Sequence, residues 1–301
     1  MFNPAATVID AFVERVENSY RRAFPKQDSS GFDDLLGQTA RMALETLVQC
    51  DCSYHDVDHT ILVTDAGQSI LYGRLISQGD VSPHEWTHAI MAMLFHDIGF
   101  RRGLLREDTT TSFLINDSGD TVTPPSGATD AFMTPYHVSR GKLFVQERFA
   151  TDPAVDVSTI CQYIEMTRFP VPEDGHYESS GSFAGLVRAA DLIGQMADPL
   201  YIQKLPRLYA EFAETSDNDR LGYDHPEDLR TQYPVFFSQQ VEPYIGPALN
   251  FLRKTQEGNQ WIANLYRHVY VQTHGEVEPR QKPKKRKVEM VDTPSIAIKA
   301  K

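Results

Sequence analysis

Apolar residues recur every three or four positions along most of the chain, which is the spacing that one buried face of an α-helix requires. Such stripes run from Val8 to Tyr20, from Leu36 to Leu47 and from Ile61 to Leu75. Further helices are predicted over residues 83–98, 137–150, 155–167, 183–196, 202–214, 240–255 and 259–272. Strand-like alternation of apolar and polar residues is nearly absent. The pattern therefore predicts an all-α fold, a single compact multi-helix bundle.

Two polar segments interrupt the helical pattern. Residues 106–135 and 170–182 are rich in Ser, Thr, Asp, Gly and Pro, the residues that mark turns and loops. A loop as long as the first is often a lid or a binding loop, and a disordered insertion is the alternative. The helical periodicity then ends near the C-terminus. We therefore expect one domain over residues 1–276, with N-terminal helices in residues 1–50 packed on its core, and a tail over residues 277–301.

The charges are distributed unevenly between the predicted domain and the tail. The chain of 301 residues has a net charge of −12, and residues 280–301 carry eight Lys/Arg against two Asp/Glu. Residues 1–279 consequently carry 21 Lys/Arg against 39 Asp/Glu. Because so acidic a body repels a nucleic-acid backbone, no nucleic-acid partner is expected for it. The basic run over residues 280–287 resembles a nuclear import signal, and an import receptor, another acidic partner or a membrane surface could bind it.

The sequence predicts a location in the reducing cytoplasm, or in the nucleus if the basic run is an import signal. The longest unbroken apolar run, from Ala89 to Phe95, has seven residues, whereas about 20 are needed to cross a bilayer. No secretory signal is visible before the first helix. The three cysteines are too few and too scattered to indicate a disulfide framework.

A short metal signature, HEWTH, occupies residues 84–88. In zinc proteases, two histidines with this spacing bind the ion and the intervening glutamate acts as the base. Ser82 and Pro83, however, directly precede the segment and are typical of a helix start. The positions three and six residues further on, Met91 and Leu94, offer no third ligand. We therefore interpret this segment as the start of a helix.

A second signature ends the same predicted helix. His96 lies on the apolar face of that helix, and Asp97 follows it directly. Burial of a carboxylate without a partner is energetically costly, so this pair requires polar neighbours in the core. His59, at the start of the preceding helix, and Asp191, inside an apolar helical segment, are the candidates. Two imidazoles and two carboxylates would suit a divalent ion such as Mg²⁺, Mn²⁺, Fe²⁺ or Zn²⁺.

The order of these residues resembles that of the HD superfamily of metal-dependent phosphohydrolases. In that family one helix supplies a histidine, the next supplies a His-Asp pair, and a late helix supplies the final aspartate. Within the superfamily, the chain is similar to the 3′,5′-cyclic-nucleotide phosphodiesterases. Their signature of tyrosine, histidine and asparagine, with a second histidine three residues later, corresponds to Tyr54–His59. Their late alanine-aspartate segment corresponds to Ala190–Leu192, with Pro199 beyond, and the resemblance covers roughly residues 50–260.

The resemblance implies a two-metal hydrolase that cleaves a nucleotide phosphoester, with a 3′,5′-cyclic nucleotide as the first candidate. Two divalent ions, whether Mg, Mn, Zn or Fe, would activate a water molecule for attack on phosphorus. Asp97 would bridge the ions, and His59, His96 and Asp191 would complete the tighter site. His55, one helical turn before His59, would act as the general acid that protonates the leaving oxygen.

The resemblance also directs attention to residues that could contact the second ion or the substrate. His137, at the start of the segment HVSRGKLFVQERF, is the candidate for contact with the second ion or the phosphate. Arg140 and Arg168 are candidate phosphate contacts. Gln239 and Gln240 are the candidates for the glutamine that holds the base in cyclic-nucleotide phosphodiesterases.

The chain departs from the family pattern in ways that leave other functions open. Asp56 replaces the usual asparagine, and Ile98–Phe100 lacks the further histidine of the eukaryotic cyclic-nucleotide enzymes. An HD-fold di-iron oxygenase is one alternative, with His137 as an additional ligand and Thr167 near the place where another would be needed. A nucleotide phosphomonoesterase and a non-catalytic nucleotide-binding module are the further alternatives.

Overall fold

The computed structural model describes residues 2–26 and 31–275, and nearly all of its regular structure is helical. The first half of the chain contains α1 (Pro4–Ala23), α2 (Phe32–Leu47), α3 (Val57–Gln78), α4 (Pro83–Phe95) and α5 (His137–Phe149). The second half contains α6 (Val157–Glu165), α7 (Phe183–Met196), α8 (Tyr201–Glu214), α9 (Asp217–Leu221), α10 (Pro226–Phe236), α11 (Glu242–Leu252) and α12 (Gln256–His274). The prediction of an all-α bundle is confirmed.

Short elements connect these helices. Segments of 3₁₀ helix cover Ile98–Phe100, Asp130–Met133 and Gly175–Tyr177, and a π-helical segment covers Phe237–Val241. Strands β1 (Phe113–Leu114) and β2 (Thr121–Val122) form an antiparallel pair in which Phe113 lies opposite Val122. They are the sole strands of the described residues.

The apolar helix α4 lies at the centre of the bundle. Every residue from Trp86 to Phe95 is buried, and the helix contacts α2, α3, α6 and α7. A helix that is apolar on all sides is stable only when other elements surround it. The residues that follow its C-terminal end, His96 and Asp97, consequently lie in the protein interior.

The start of α3 accounts for one departure from the phosphodiesterase signature. Asp56 is the N-cap of α3, and its Oδ1 accepts the backbone N–H of His59 at 3.1 Å. An asparagine oxygen makes the same bond, because Asp and Asn are comparable N-caps. Aspartate at this position is therefore compatible with the same helix start and the same placement of His59.

Helices α3 and α7 approach each other closely at a glycine. A Cβ atom on Gly194 would lie 2.6 Å from the Cα atom of Val63 and 2.8 Å from its backbone nitrogen. Only a residue without a side chain fits between these backbones. This crossing holds together the two helices that carry His59 and Asp191.

Two helices, α9 and α10, are not predicted from the sequence. Helix α10 is the longer of the two. Its two prolines obscure the helical pattern, yet neither of them lies in the middle of the helix. Pro226 occupies the first turn, where its missing N–H costs nothing, and Pro234 lies in the last turn. The chain then continues through Phe237–Val241 directly into α11, so the helix predicted over residues 240–255 begins within a longer helical segment.

The long polar segment over residues 106–135 packs against the body of the protein. Phe113, Ala131 and Met133 are buried together with Phe100 and Cys52 in a second, smaller hydrophobic cluster. This segment therefore contributes to the wall next to His96 and Asp97, because Phe100 follows that pair by three residues. Residues 106–135 are therefore a packed segment of the fold and not a disordered insertion.

Two further expectations concern partners. Across residues 2–26 and 31–275, no helix combines the length and the apolar character that a membrane span requires. The basic run over residues 280–287 lies outside the described residues, so its role stays a prediction.

Replacing Gly194 by alanine tests how tightly α3 and α7 approach. The added methyl group must displace the backbone of Val63, so we expect the free energy of unfolding to fall by about 1–3 kcal/mol. Urea denaturation followed by circular dichroism measures this change. Gly181→Ala is the control, since no heavy atom lies within 4 Å of the added carbon, and it should change stability by less than about 0.5 kcal/mol. Unchanged stability in Gly194→Ala would contradict the close approach.

Candidate metal and acid-base site

Four polar side chains from three parts of the bundle meet in the interior. The Nε2 atoms of His59, in the first turn of α3, and His96, at the end of α4, lie 3.2 Å apart. Oδ2 of Asp97 lies 3.1 Å from the first nitrogen and 3.2 Å from the second. Oδ1 of Asp191, in α7, lies 3.5 and 3.8 Å from the same two nitrogens. We call these four residues the His/Asp cluster, and they are the four that the sequence nominated as metal ligands.

The His/Asp cluster has the chemistry of a cation site. Oδ2 of Asp97 is buried, so its charge requires the imidazoles of His59 and His96, or a cation, beside it. Nδ1–H of His96 donates to the carbonyl of Met93 at 2.7 Å, so its Nε2 faces the cluster. Two imidazole nitrogens at this distance repel each other unless a proton or a cation lies between them. Ligand atoms of His59, His96 and Asp191 all lie within 4.8 Å of one another, so the group could hold a metal ion.

The charges of the cluster balance one another. Burial disfavours ionisation of Asp97, but the imidazoles of His96 and His59 outweigh it and hold the pKa of this carboxyl well below its usual range. Burial also opposes the charge of His96, and Asp97 reverses this effect and raises the pKa of His96 to about 9. Burial raises the pKa of Asp191. The cluster therefore retains protons at neutral pH that a divalent cation would displace on binding.

His55 is hydrogen-bonded to Glu211, a carboxylate that the sequence analysis does not identify. Oε2 of Glu211, in α8, accepts Nδ1–H of His55 at 2.6 Å, while its Oε1 accepts the backbone N–H of Tyr54 at 2.5 Å. Burial opposes the charged form of His55, but the Glu211 carboxylate outweighs it and raises the pKa of His55 to about 9. His55 is therefore an imidazolium at neutral pH. No hydrogen bond in the described part of the chain engages its Nε2–H.

The sequence does contain a signal for Glu211. Tyr201, Leu205 and Leu208 form a buried stripe on α8, and Glu211 continues that stripe three residues later. Its side chain is only 3 % exposed. A carboxylate on a buried face requires a partner. That partner, His55, belongs to a distant loop, so helical spacing alone does not identify it.

An aromatic stack sets the distance between two histidines. The buried ring of Phe100 lies between His55 and His137, with centroid distances of 4.6 and 4.4 Å and interplanar angles of 18° and 14°. Nδ1–H of His137 donates to the carbonyl of Thr134 at 2.6 Å, and its Nε2 lies 3.7 Å from Oδ1 of Asp97. Burial lowers the pKa of His137 to about 4, so this imidazole is neutral and its Nε2 lone pair is available. His137 thus lies beside Asp97, on the side away from Oδ2.

The residues of the site differ in their exposure to solvent. The side chains of His55, His137 and Asp191 are 19 %, 15 % and 13 % exposed, whereas the other three members are at most 5 % exposed. A ligand that approaches the His/Asp cluster therefore meets the two stacked histidines and Asp191 first.

The prediction that Arg140 contacts a phosphate is wrong. Its guanidinium is fully buried and pairs with Asp108 at 2.9 Å. Its remaining N–H groups donate to the backbone carbonyls of Gly99, Arg101 and Leu114. Arg140 therefore links α5 to the chain that follows α4 and to part of the polar segment over residues 106–135. It supports the wall of the site without facing it.

The other predicted substrate contacts receive no support from the structure. Arg168 pairs with Glu165 at 2.6 Å, and none of its contacts in the described residues is to the His/Asp cluster. Gln239 is exposed and Gln240 is half-buried on the π-helical segment. No contact in the described part of the chain joins either glutamine to the cluster, so these three assignments stay predictions.

The HEWTH segment starts a helix, as the sequence indicated. Oε2 of Glu85 accepts the backbone N–H of Ser82 at 2.8 Å, and Oγ of Ser82 accepts the N–H of Glu85 at 3.2 Å. This reciprocal pair is a capping box. Nε2 of His88 accepts the backbone N–H of Asp156 at 3.0 Å. The glutamate and one histidine of the protease signature are therefore engaged in structural bonds.

The fold and the site together define an all-α protein with a His/Asp group that could hold a metal ion. The family model described as Npun_R2479-like matches residues 2–275, and the chain belongs to this family. No curated protein and no solved structure matches the chain.

Replacing Glu85 by alanine distinguishes the two interpretations of HEWTH. Loss of the capping box should lower the free energy of unfolding by about 0.5–2 kcal/mol, whereas a glutamate that served only as a catalytic base would contribute little to stability. Urea denaturation measures this change. Glu85→Gln is the matched control, because an amide oxygen can still accept the N–H of Ser82, and it should be more stable than Glu85→Ala. A Glu85→Ala protein as stable as the wild type would contradict the helix-start interpretation.

Proposed function

We propose that this protein is a metal-dependent phosphohydrolase that cleaves a nucleotide phosphoester, with 3′,5′-cyclic nucleotides as the first candidate substrates. The observation that carries the proposal is the position of the Asp97 carboxylate. Its Oδ2 lies between the imidazoles of His59 and His96, and its Oδ1 faces His137. Residues whose order resembles that of the HD superfamily are thus also neighbours in space, and this coincidence supports the assignment.

The two oxygens of Asp97 divide the candidate ligands into two groups. Oδ2 would hold one divalent ion together with His59, His96 and Asp191. Oδ1 and His137 would contribute to a second ion. Divalent ions bound at such a site polarise a phosphoryl oxygen and lower the pKa of water.

His55 would supply the proton for the leaving oxygen. Because Glu211 holds Nδ1–H, the proton available to a substrate is the one on Nε2. The raised pKa keeps this proton in place at neutral pH. An alkoxide departs poorly without a proton, so a general acid speeds this step. Glu211 is the positioning residue: it orients the ring of His55 and stabilises the imidazolium.

The two histidines that stack on either face of Phe100 are suited to different roles. Stacking on both faces of Phe100 restricts rotation of both imidazole rings. Their surroundings separate their pKa values, with His55 at about 9 and His137 at about 4. Neighbouring groups whose pKa values are driven apart take different roles in a site. We assign proton donation to the first histidine and metal or phosphate contact to the second.

Iron-dependent oxygenase chemistry has less support. Thr167, near the place where a further ligand would be needed, donates its hydroxyl to the carbonyl of Ile164 at 2.8 Å. His137 is thus the one additional imidazole beside Asp97 in the described residues once His55 is assigned to proton transfer. We accordingly treat oxygen-dependent turnover as an outcome that would replace the proposal.

We place the activity in the cytoplasm. Cys50, Cys52 and Cys161 are free thiols, as expected for a protein in a reducing compartment. A nuclear location would follow if the basic run over residues 280–287 binds an import receptor.

Hydrolysis of bis(p-nitrophenyl) phosphate and of 3′,5′-cyclic AMP in the presence of Mn²⁺ tests the proposal. The wild-type protein should turn over at least one of them, and Asp97→Asn should lose about 10³-fold in rate because the ligand shared by both ions is lost. Asp80→Asn is the control, because this exposed aspartate pairs with Arg74 at the protein surface. It should retain full activity.

The outcomes separate the alternatives. Turnover of p-nitrophenyl phosphate in preference to both diesters would indicate a phosphomonoesterase. Nucleotide binding without turnover by a metal-loaded wild type would indicate a binding module. Activity that requires iron and molecular oxygen would indicate an oxygenase, and each of these results would contradict the phosphodiesterase assignment.

Glu211→Gln tests the proposed positioning of the general acid. With 3′,5′-cyclic AMP, kcat should fall about 10- to 100-fold while KM and bound metal change little, because proton donation is impaired and ligand binding is not. With bis(p-nitrophenyl) phosphate the loss should be small, since p-nitrophenolate leaves without a proton. A merely structural role for Glu211 would lower both rates equally.

Glu227→Gln is the control for this comparison, because the exposed Glu227 on α10 pairs only with Arg230 among the described residues. It should leave both rates unchanged. Equal losses on the two substrates in Glu211→Gln would overturn the role assigned to Glu211.

A further inference from the structure

Gln195 is a half-buried polar residue of α7 that has no role in the site described above. It lies four positions after Asp191, and residues with this spacing share one face of a helix. Its amide Nε2 donates to Oδ1 of Asp191 at 3.3 Å. The same oxygen lies 3.5 Å from Nε2 of His59 and 3.8 Å from Nε2 of His96. Gln195 therefore bonds the oxygen of Asp191 that faces the rest of the His/Asp cluster.

The two partners of Gln195 fix the direction of its amide. A carboxylate that binds a metal ion is ionised and only accepts hydrogen bonds, so the nitrogen of the amide faces Asp191. The other end, Oε1, accepts the O–H of Tyr54 at 3.3 Å. Tyr54 is 4 % exposed, and its backbone N–H donates to Glu211 of α8. A buried residue that is itself held in place therefore holds the far end of Gln195.

Asp191 depends on this bond more than the other ligands depend on theirs. His96 is held by the carbonyl of Met93, and Asp97 lies between two imidazoles. The side chain of Asp191 is 13 % exposed, whereas the other members of the cluster are at most 5 % exposed. Within the described residues, Gln195 is the sole hydrogen-bond donor to Asp191 from outside the cluster. Without it, the carboxylate is free to rotate towards solvent.

We infer that Gln195 is a positioning residue for the metal ligand Asp191, and that the hydroxyl of Tyr54 keeps Gln195 in place. Groups that hydrogen-bond a metal ligand orient it for the ion, and their loss commonly lowers metal affinity about 10- to 100-fold. The inference rests on the metal site of the proposed function, but not on its substrate or on turnover.

Isothermal titration calorimetry of the metal-free full chain with Mn²⁺ tests the inference. Gln195→Met keeps an unbranched side chain and removes both hydrogen bonds, so the Kd for Mn²⁺ should rise about 10- to 100-fold. Gln78→Met, the same substitution at the exposed end of α3, should bind like the wild type. Asp97→Asn should lose the binding, which identifies the titrated ion as the one in the His/Asp cluster.

The stability of the metal-free protein separates positioning from a structural role. Gln195→Met should stay folded, with a Tm at most about 8 °C below that of the wild type, because two hydrogen bonds are lost. Tyr54→Phe is a second variant that removes the hydroxyl and keeps the ring. Its Kd for Mn²⁺ should rise about two- to tenfold, since Gln195 then lacks its second partner.

Three results would overturn the inference: unchanged Mn²⁺ affinity in a folded Gln195→Met, Mn²⁺ binding retained in Asp97→Asn, or an unfolded Gln195→Met together with wild-type affinity in Tyr54→Phe. Failure of the proposed function gives a different result. A wild type that binds Mn²⁺ but hydrolyses no phosphoester would overturn that function, and weaker Mn²⁺ binding in Gln195→Met would still support the inference. A wild type that binds no Mn²⁺ would overturn both.

Discussion

The candidate site depends on the burial of one carboxylate. Asp97 lies at the end of the most apolar helix of the bundle, where an isolated negative charge would be strongly destabilised. The imidazoles of His59 and His96, within 3.2 Å of its Oδ2, keep it ionised. His59 reaches this position because α3 is held tightly against α7 at Gly194. The charge balance of the site therefore depends on the packing of the helices.

The surrounding structure orients the histidines in a uniform way. Each of His96, His137 and His55 donates its Nδ1–H to a fixed acceptor: the carbonyl of Met93, the carbonyl of Thr134 and the carboxylate of Glu211, respectively. Their Nε2 atoms are thereby left for other partners, which is the arrangement that metal-binding and proton-donating histidines require. The Glu211 carboxylate makes the imidazole of His55 a cation, whereas burial keeps the imidazole of His137 neutral.

The sequence predicts those parts of the site that depend on local spacing. His59 at a helix start and Asp191 on an apolar helical face were nominated from their own segments. Glu211 was missed because its partner, His55, is 156 residues away in the chain. Arg140 was assigned wrongly because its partners lie in the irregular segment that follows α4, where no periodicity indicates which backbone carbonyls are near. Helix α10 was missed because prolines at both ends resemble loop residues.

The central claim is that Asp97 is shared between two metal positions. Anomalous diffraction from crystals grown with Mn²⁺ locates such ions directly. The account predicts one anomalous peak within bonding distance of all four residues of the His/Asp cluster. It predicts a second peak next to Oδ1 of Asp97, on the side of His137. A crystal whose only strong peak lies at the HEWTH segment, or one with no peak in the cluster, would contradict it.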